Sequence, residues 1–342
     1  MQLDLPVPSS GSQVTGDWLQ AALTHNAPIT SLSYERIGEG YGLASEIFRY
    51  RWDGNGAPQS VVVKLWDTEQ WGIREFQFYQ TFGEQTGIRT PACLYSAVDT
   101  RNQRAVFVLE DLGSVVQGDC LHQIDREQAE TVAQGLAQFH ARWLANAELF
   151  QADWLPSIAV WQRDAEWFTS RRARFLERFG KQVDGSARVL LDAIELAPPI
   201  VNARLANAPH TLLHGDLHLD NMVFEQDTTP VLLDWACCAQ GPLVIDLVEL
   251  LFGMIHIKDS NHILQIYLDT FDQCGKPLER SIVHHQLGGA ILRKFVASTC
   301  GMARWQPALP REEATIHTTI QRATQAVEYW YEQDPGLFAF LP

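Results

Sequence analysis

Near its start the chain carries three short runs rich in β-branched and aromatic residues, SLSYERI (31–37), SEIFRYRW (45–52) and SVVVKLW (60–66). Their composition predicts strands. A glycine-rich segment joins the first to the second and DGNGAPQ joins the second to the third, which is hairpin chemistry, so one antiparallel sheet is expected. A helix capped by Thr15 or Asp17 is expected before them over 15–25, and another after them over 68–82. Two more strand-like runs follow, ACLYSAVD (92–99) and AVFVLEDL (105–112).

From Asp125 the period changes. DREQ is a capping-box sequence, in which Asp125 accepts from an early helix N–H and Gln128 reaches back. Behind it Ala129, Val132, Ala133, Leu136, Phe139, Trp143 and Leu144 recur at helical spacing and give one apolar face. Further helices are predicted near 157–178, 184–206, 243–257, 260–273, 278–298 and 312–332. Only the stretch around 212–234 interrupts them, with two short strand-like runs, MVF and VLLD. The expected class is α+β: a small antiparallel sheet, residues 1–111, then a larger and mainly helical part, residues 112–342.

The 342 residues, 46% of them apolar, are enough for two cores. A net charge of −15 argues against nucleic acid or an anionic membrane as partner. A local basic pocket is compatible with this charge, and the longest charge cluster, RRAR at 171–174, is expected on a solvated helix face. Six cysteines without metal-type spacing read as reduced thiols. The first residues lack the charge and apolar run of a signal peptide, and no run is long enough to span a bilayer, so a cytoplasmic protein is expected. Monomer and homodimer are both compatible with the pattern.

The chemistry concentrates in LLHGDLHLDN (212–221). Asp216 is a carboxylate able to accept a hydroxyl proton, and Asn221 with Asp234 offers hard oxygens of the kind Mg²⁺ takes. MVF and VLLD, joined by EQDTTP, would hold Asn221 and Asp234 on facing ends of a small hairpin. Taken singly, Asp and Asn are common turn residues. As a set they describe metal-assisted phosphoryl transfer.

The order H-G-D-x-H-x-x-N, then LLDW (232–235), then GPLVIDL (241–247), resembles the aminoglycoside phosphotransferase and choline kinase-like branch of the protein kinase-like fold. The resemblance covers about residues 30–300. It implies a bilobal fold with a nucleotide-binding lobe and a catalytic, acceptor-binding helical lobe. It also implies ATP, with GTP as the alternative donor, Mg²⁺, and a small-molecule hydroxyl as acceptor. Asp216 becomes the catalytic base, Asn221 and Asp234 the metal ligands, and Asp246 the anchor of the catalytic loop. His214 and His218 belong to the loop scaffold, and His140, in FHARW, resembles a recurring family position where packing is the expected role.

In the first half the same comparison points to a phosphate cover, GEGYGLAS (38–45), with Gly38, Gly40, Gly42 and Ser45. Its G-x-G-x-G departs from the kinase G-x-G-x-x-G. Lys64 stands where kinases place the lysine that contacts the phosphates; an edge lysine facing solvent is the alternative. Glu75 is its natural partner, although Glu39, Glu46 or Glu69 would also serve. Glu110 and Leu112, in FVLEDL, are the candidates for main-chain contact with the base.

No G-x-x-x-x-G-K-[ST], H-E-x-x-H or G-x-S-x-G is present, so P-loop, zincin and α/β-hydrolase readings have no anchor. A nucleotide-binding pseudokinase would be expected to have lost one of Lys64, Asp216, Asn221 or Asp234. A protein kinase would carry H-R-D and an A-P-E segment. An acidic chain with Trp143, Trp154, Trp161, Trp167 and Trp305 would suit a cationic acceptor, an amino sugar or a choline-like alcohol.

Overall fold

The computed structural model describes residues 5–24, 27–38, 45–54, 57–67, 69–158, 164–226, 228–333 and 335–338. They form two compact units, Met1–Gly118 with Asp220–Cys238, and Asp119–Leu219 with Ala239–Pro342.

The first unit opens with helix α1 (Gly16–Ala22), capped by the Thr15 hydroxyl, which accepts the Trp18 N–H at 3.2 Å. Strands β1 (Thr30–Ile37), β2 (Ser45–Gly54) and β3 (Ala57–Trp66) follow. Helix α2 (Glu69–Thr81) precedes β4 (Cys93–Asp99), β5 (Arg104–Glu110) and the short β6 (Val116–Gln117). The strands from β1 to β5 make one antiparallel sheet in the order β1-β2-β3-β5-β4. Because side chains alternate along a strand, Phe48, Tyr50 and Trp52 of β2 and Val61, Val63 and Leu65 of β3 enter the core with Trp18 and Leu19 of α1. Lys64 and Trp66 therefore share the other face. Gly72 of α2 packs there, where a Cβ would come within 2.9 Å of Ala105 and 3.1 Å of Trp66.

The second unit begins with α3 (Arg126–Trp143), whose start is the predicted capping box: Asp125 accepts from Gln128 N–H at 2.9 Å and Gln128 accepts from Asp125 N–H at 3.4 Å. Next come α4 (Ala147–Gln151) and α5 (Ala165–Phe179). The expected helix over 157–178 starts later than the pattern implied. Ser157 forms a parallel bridge to Gln240, and the helix begins only where Asp164 caps it through Trp167 N–H at 2.8 Å. The expected 184–206 helix is divided into α6 (Gly185–Asp192) and α7 (Ala197–Leu205), with prolines in the first turn of the latter, where the missing N–H costs nothing. Strand β7 (His210–Leu213) leads into the quoted loop.

The chain then returns to the first unit as the hairpin β8 (Met222–Phe224) and β9 (Pro230–Leu232), which pairs with β6. Back in the second unit, β10 (Ala239–Pro242) pairs with β7. The helices α8 (Val244–Glu249), α9 (Ser260–Gln273), α10 (Arg280–Val296) and α11 (Pro310–Gln333) complete it. Both α8 and α10 run into a π-helical turn, Leu250–Met254 and Ala297–Gly301. No helix among the described residues is long and apolar enough to cross a membrane.

Candidate active site

The first unit contains a cavity of about 310 Å³. Gly38, Ser45, Lys64 and Glu75 line it, and so do Glu110, Leu112, Asn221 and Asp234. Eight of the residues singled out from sequence thus meet on one wall system. Gly40 and Gly42 lie outside the described residues. A wider hollow of about 830 Å³ opens beside α1, the end of α2 and β4, but it holds none of the candidate metal or phosphate ligands.

Lys64 is only 4% exposed, so its charge needs partners. Its Nζ lies 2.9 Å from Glu75 Oε1 and 2.8 Å from Oε2, and 3.1 Å from Asp234 Oδ1. Burial opposes the charge, but the carboxylates of Asp234 and Glu75 outweigh it and raise the ammonium's pKa. The solvent-facing alternative for Lys64 does not hold. Glu75 is the partner among the four acids considered: Glu46 pairs with Arg36 at 3.3 Å, Glu39 is outside the described residues, and the side chain of Glu69 is outside them as well.

Asn221 and Asp234 flank the hairpin as expected, with the Leu233 N–H bonded to the Asn221 carbonyl at 2.9 Å. Asp234 holds a left-handed backbone, φ 60° and ψ 75°, which is uncommon for a residue with a side chain. Packing just after it supports that conformation. Trp235 stacks on Phe78 of α2 with centroids 4.1 Å apart and planes within 8°, and its indole N–H donates to Thr90 Oγ1 at 2.8 Å.

At the connector, Glu110 accepts two bonds from Arg89, at 2.7 and 2.9 Å, which with the Ala92 N–H outweigh the opposing effect of burial and leave its carboxyl below the usual range. Its backbone N–H is taken by the Ala92 carbonyl at 2.9 Å. A main-chain contact from this residue to a base would have to come from its carbonyl.

In the second unit the quoted loop hangs on Asp246, which is fully buried. One oxygen accepts His214 N–H at 2.6 Å and the other accepts Gly215 N–H at 3.0 Å. Gly215 has φ +80°, a conformation that favours glycine. Behind Asp246 stands His140, with Nε2 at 3.5 Å and Nδ1 at 2.8 Å from the Tyr267 hydroxyl. His140 is thus a packed histidine, as expected, and also part of the network that carries the loop. No local pattern could have shown Tyr267, 127 positions away.

Asp216 is half-exposed and lies 3.5 Å from His218 Nε2. Burial works against its charge, but the His218 contact and the positive groups His218, His214 and Lys294 prevail and hold the carboxyl below its usual range. Lys294 of α10 is ion-paired to Glu249 of α8, a pair with no signal in the sequence. Trp143 is 1% exposed and sits beside Arg142, and Trp167 beside Arg171, so neither ring is an open cage. Trp161 lies outside the described residues.

An antiparallel five-stranded sheet, a buried Lys–Glu pair and a carboxylate-bearing loop anchored on a helix define the protein kinase-like class. The profile of the phosphotransferase enzyme family APH matches residues 46–279, and the chain belongs to that family: it is an enzyme, a small-molecule kinase. Among solved structures, a Ralstonia eutropha JMP134 protein provisionally classed as an aminoglycoside phosphotransferase superposes with a TM-score of 0.59 at 16% identity, covering 93% of this chain and 97% of its own. The microcompartment-associated aminopropanol kinase gives 0.56 at 15%, covering 93% and 98%. Spectinomycin phosphotransferase APH(9)-Ia, solved with ADP and spectinomycin, gives 0.53 at 13%, covering 92% and 97%. No curated protein matches in sequence. At these identities the likeness carries the fold.

Proposed function

We propose that the protein is an ATP-dependent, Mg²⁺-requiring O-phosphotransferase that moves the γ-phosphoryl group to a hydroxyl of a small molecule. The observation that carries this reading is the buried Lys64, held by Glu75 and Asp234 in a cavity that Asn221 also lines. The division of labour runs near residue 111, nucleotide binding before it and acceptor selection after it, with the 220–238 hairpin contributing its two oxygen ligands.

The cavity suits a hard cation: among its described lining residues there are carboxylates and the amides of Gln117 and Asn221 but no histidine or cysteine. Asn221 and Asp234 would hold Mg²⁺, which supplies neutralisation of the phosphate charge. Lys64 directs its ammonium to the α and β phosphates, and Gly38 and Ser45, which line the same cavity, face them. Asp216, ionised and half-exposed, accepts the hydroxyl proton as the acceptor oxygen bonds to the γ-phosphorus and the β–γ bridging P–O bond breaks, with ADP leaving. GTP would be handled in the same way.

For the acceptor, an amine-bearing alcohol, whether an amino sugar or a choline-like compound, stands first. The chain carries −15 charges, and the similar structures are named for aminoglycosides and aminopropanol. The test is ADP release with Mg-ATP across a panel of hydroxylated metabolites and antibiotics. Turnover on an alcohol that falls by about 10²–10⁴ in Asp216→Ala supports the assignment. Unchanged turnover in that variant removes Asp216 as base, and nucleotide binding without turnover on any alcohol favours the pseudokinase. Turnover of neutral sugars alone would reject the cationic acceptor.

A further inference from the structure

The geometry points to Trp66 as a positioning residue that keeps Lys64 on Glu75 before any nucleotide arrives; the inference rests on the nucleotide-binding reading of the cavity. Lys64 has two anions to choose from, Glu75 at 2.8 Å and Asp234 at 3.1 Å. Coulomb attraction alone hardly separates two carboxylates at such similar distances. If Lys64 settled on Asp234, it would compete for an oxygen proposed to face the metal.

Trp66 supplies the asymmetry. It lies two positions after Lys64 on β3 and so on the same face. Its indole N–H donates to Glu75 Oε2 at 2.7 Å, and its ring lies under the Lys64 ammonium, 4.8 Å from nitrogen to centroid. With the residue 5% exposed, a departing Glu75 would leave a buried N–H with no water to replace its acceptor. Asp234 Oδ1 receives the longer Ala236 N–H, at 3.4 Å, whereas Glu75 receives the short indole bond, so the pair is braced from the strand side.

Gly72 makes the brace reachable from the helix side. It lies three residues before Glu75, and a Cβ there would meet Trp66 Cβ at 3.1 Å and Ala105 Cβ at 2.9 Å. The bare backbone lets α2 come close enough for the Glu75 carboxylate to reach both Lys64 and Trp66. Nothing in the sequence motif singles out either residue, because neither is expected to touch a ligand.

The experiment is calorimetric binding of Mg-ADP to the full chain as wild type, Trp66→Phe, Lys64→Met and the double variant. Phe keeps a ring near the ammonium and removes only the N–H. Loss of a hydrogen bond to a charged group predicts affinity weaker by about tenfold in Trp66→Phe. It also predicts little further loss when Trp66→Phe is added to Lys64→Met, since the two act through one pair. A merely structural role would give the same loss in both backgrounds, and that result overturns the inference, as does wild-type affinity in Trp66→Phe. Should Trp66→Phe not fold, Gly72→Ala, which presses on the same contact, is expected to weaken Mg-ADP binding, and wild-type affinity there overturns the inference too. Lys64→Met binding Mg-ADP like wild type would instead sink the nucleotide reading of the cavity itself.

Discussion

Asp246→Asn isolates the anchor of the loop that carries Asp216. The carboxylate accepts two backbone N–H groups, from His214 and Gly215, in a site closed to water. Asparagine preserves the shape but converts one acceptor oxygen into an NH₂ that faces an N–H donor. One buried N–H then loses its partner, and the other loses a charged acceptor. Hydrogen bonds to charged groups are worth about 1.5–3 kcal/mol and a stranded buried donor costs about 1–3, so a loss of about 3–5 kcal/mol is expected. For a unit of this size that corresponds to a melting point lower by roughly 6–20 °C. The displaced loop also carries Asp216, and misplacement by about 1 Å can cost on the order of 100-fold in turnover. Thermal melts of the variant in the absence of ligand, together with kcat on whichever alcohol the wild type accepts, measure both. A variant that melts within about 2 °C of wild type and keeps its kcat would refute the anchoring argument.

Two further outcomes follow from the electrostatics. Because Asp216 is held below the usual carboxylate range, kcat/KM should stay flat through neutral pH and fall only as pH drops through that depressed value; any stability the group contributes is likewise full above the unfolded pKa and lost on the same descent. Lys294→Met removes one of the positive charges responsible and should move the acid limb upward, so an unmoved limb in a pH–rate profile counts against this account. Asp234→Asn should abolish the Mg²⁺ requirement of the thermal shift produced by ADP, with EDTA as the control, and a shift still fully Mg²⁺-dependent would exclude Asp234 as a ligand.

Local chemistry made much of the architecture legible. Hairpin turns and β-branched runs marked β1 to β3, and the capping box at Asp125 fell where α3 begins. The placement of Asn221 and Asp234, the pair proposed to hold the metal, was legible for the same reason, since a two-strand hairpin fixes where they stand. What escaped depends on encounters between distant elements. The choice of Glu75 over other acids is decided by how closely α2 approaches β3, which Gly72 controls and no periodicity reveals. The Tyr267–His140–Asp246 chain joins three helices, and the Lys294–Glu249 pair joins two, with no spacing rule to link them. The late start of α5 is a different case: the apolar pattern over 157–178 carried no boundary of its own, and the Asp164 cap that sets it emerges from the structure.

The backbone at Gly215 carries one more consequence. With φ at +80° and its N–H bonded to Asp246, this position would hold a β-carbon only in a strained left-handed backbone, at a cost of about 1–2 kcal/mol. The arginine that sits between His and Asp in protein kinases would therefore strain the turn that Asp246 holds if grafted here by a single codon change. A phosphorylated segment would find no guanidinium at position 215 to grip, so control of that kind would need a side chain that this backbone disfavours.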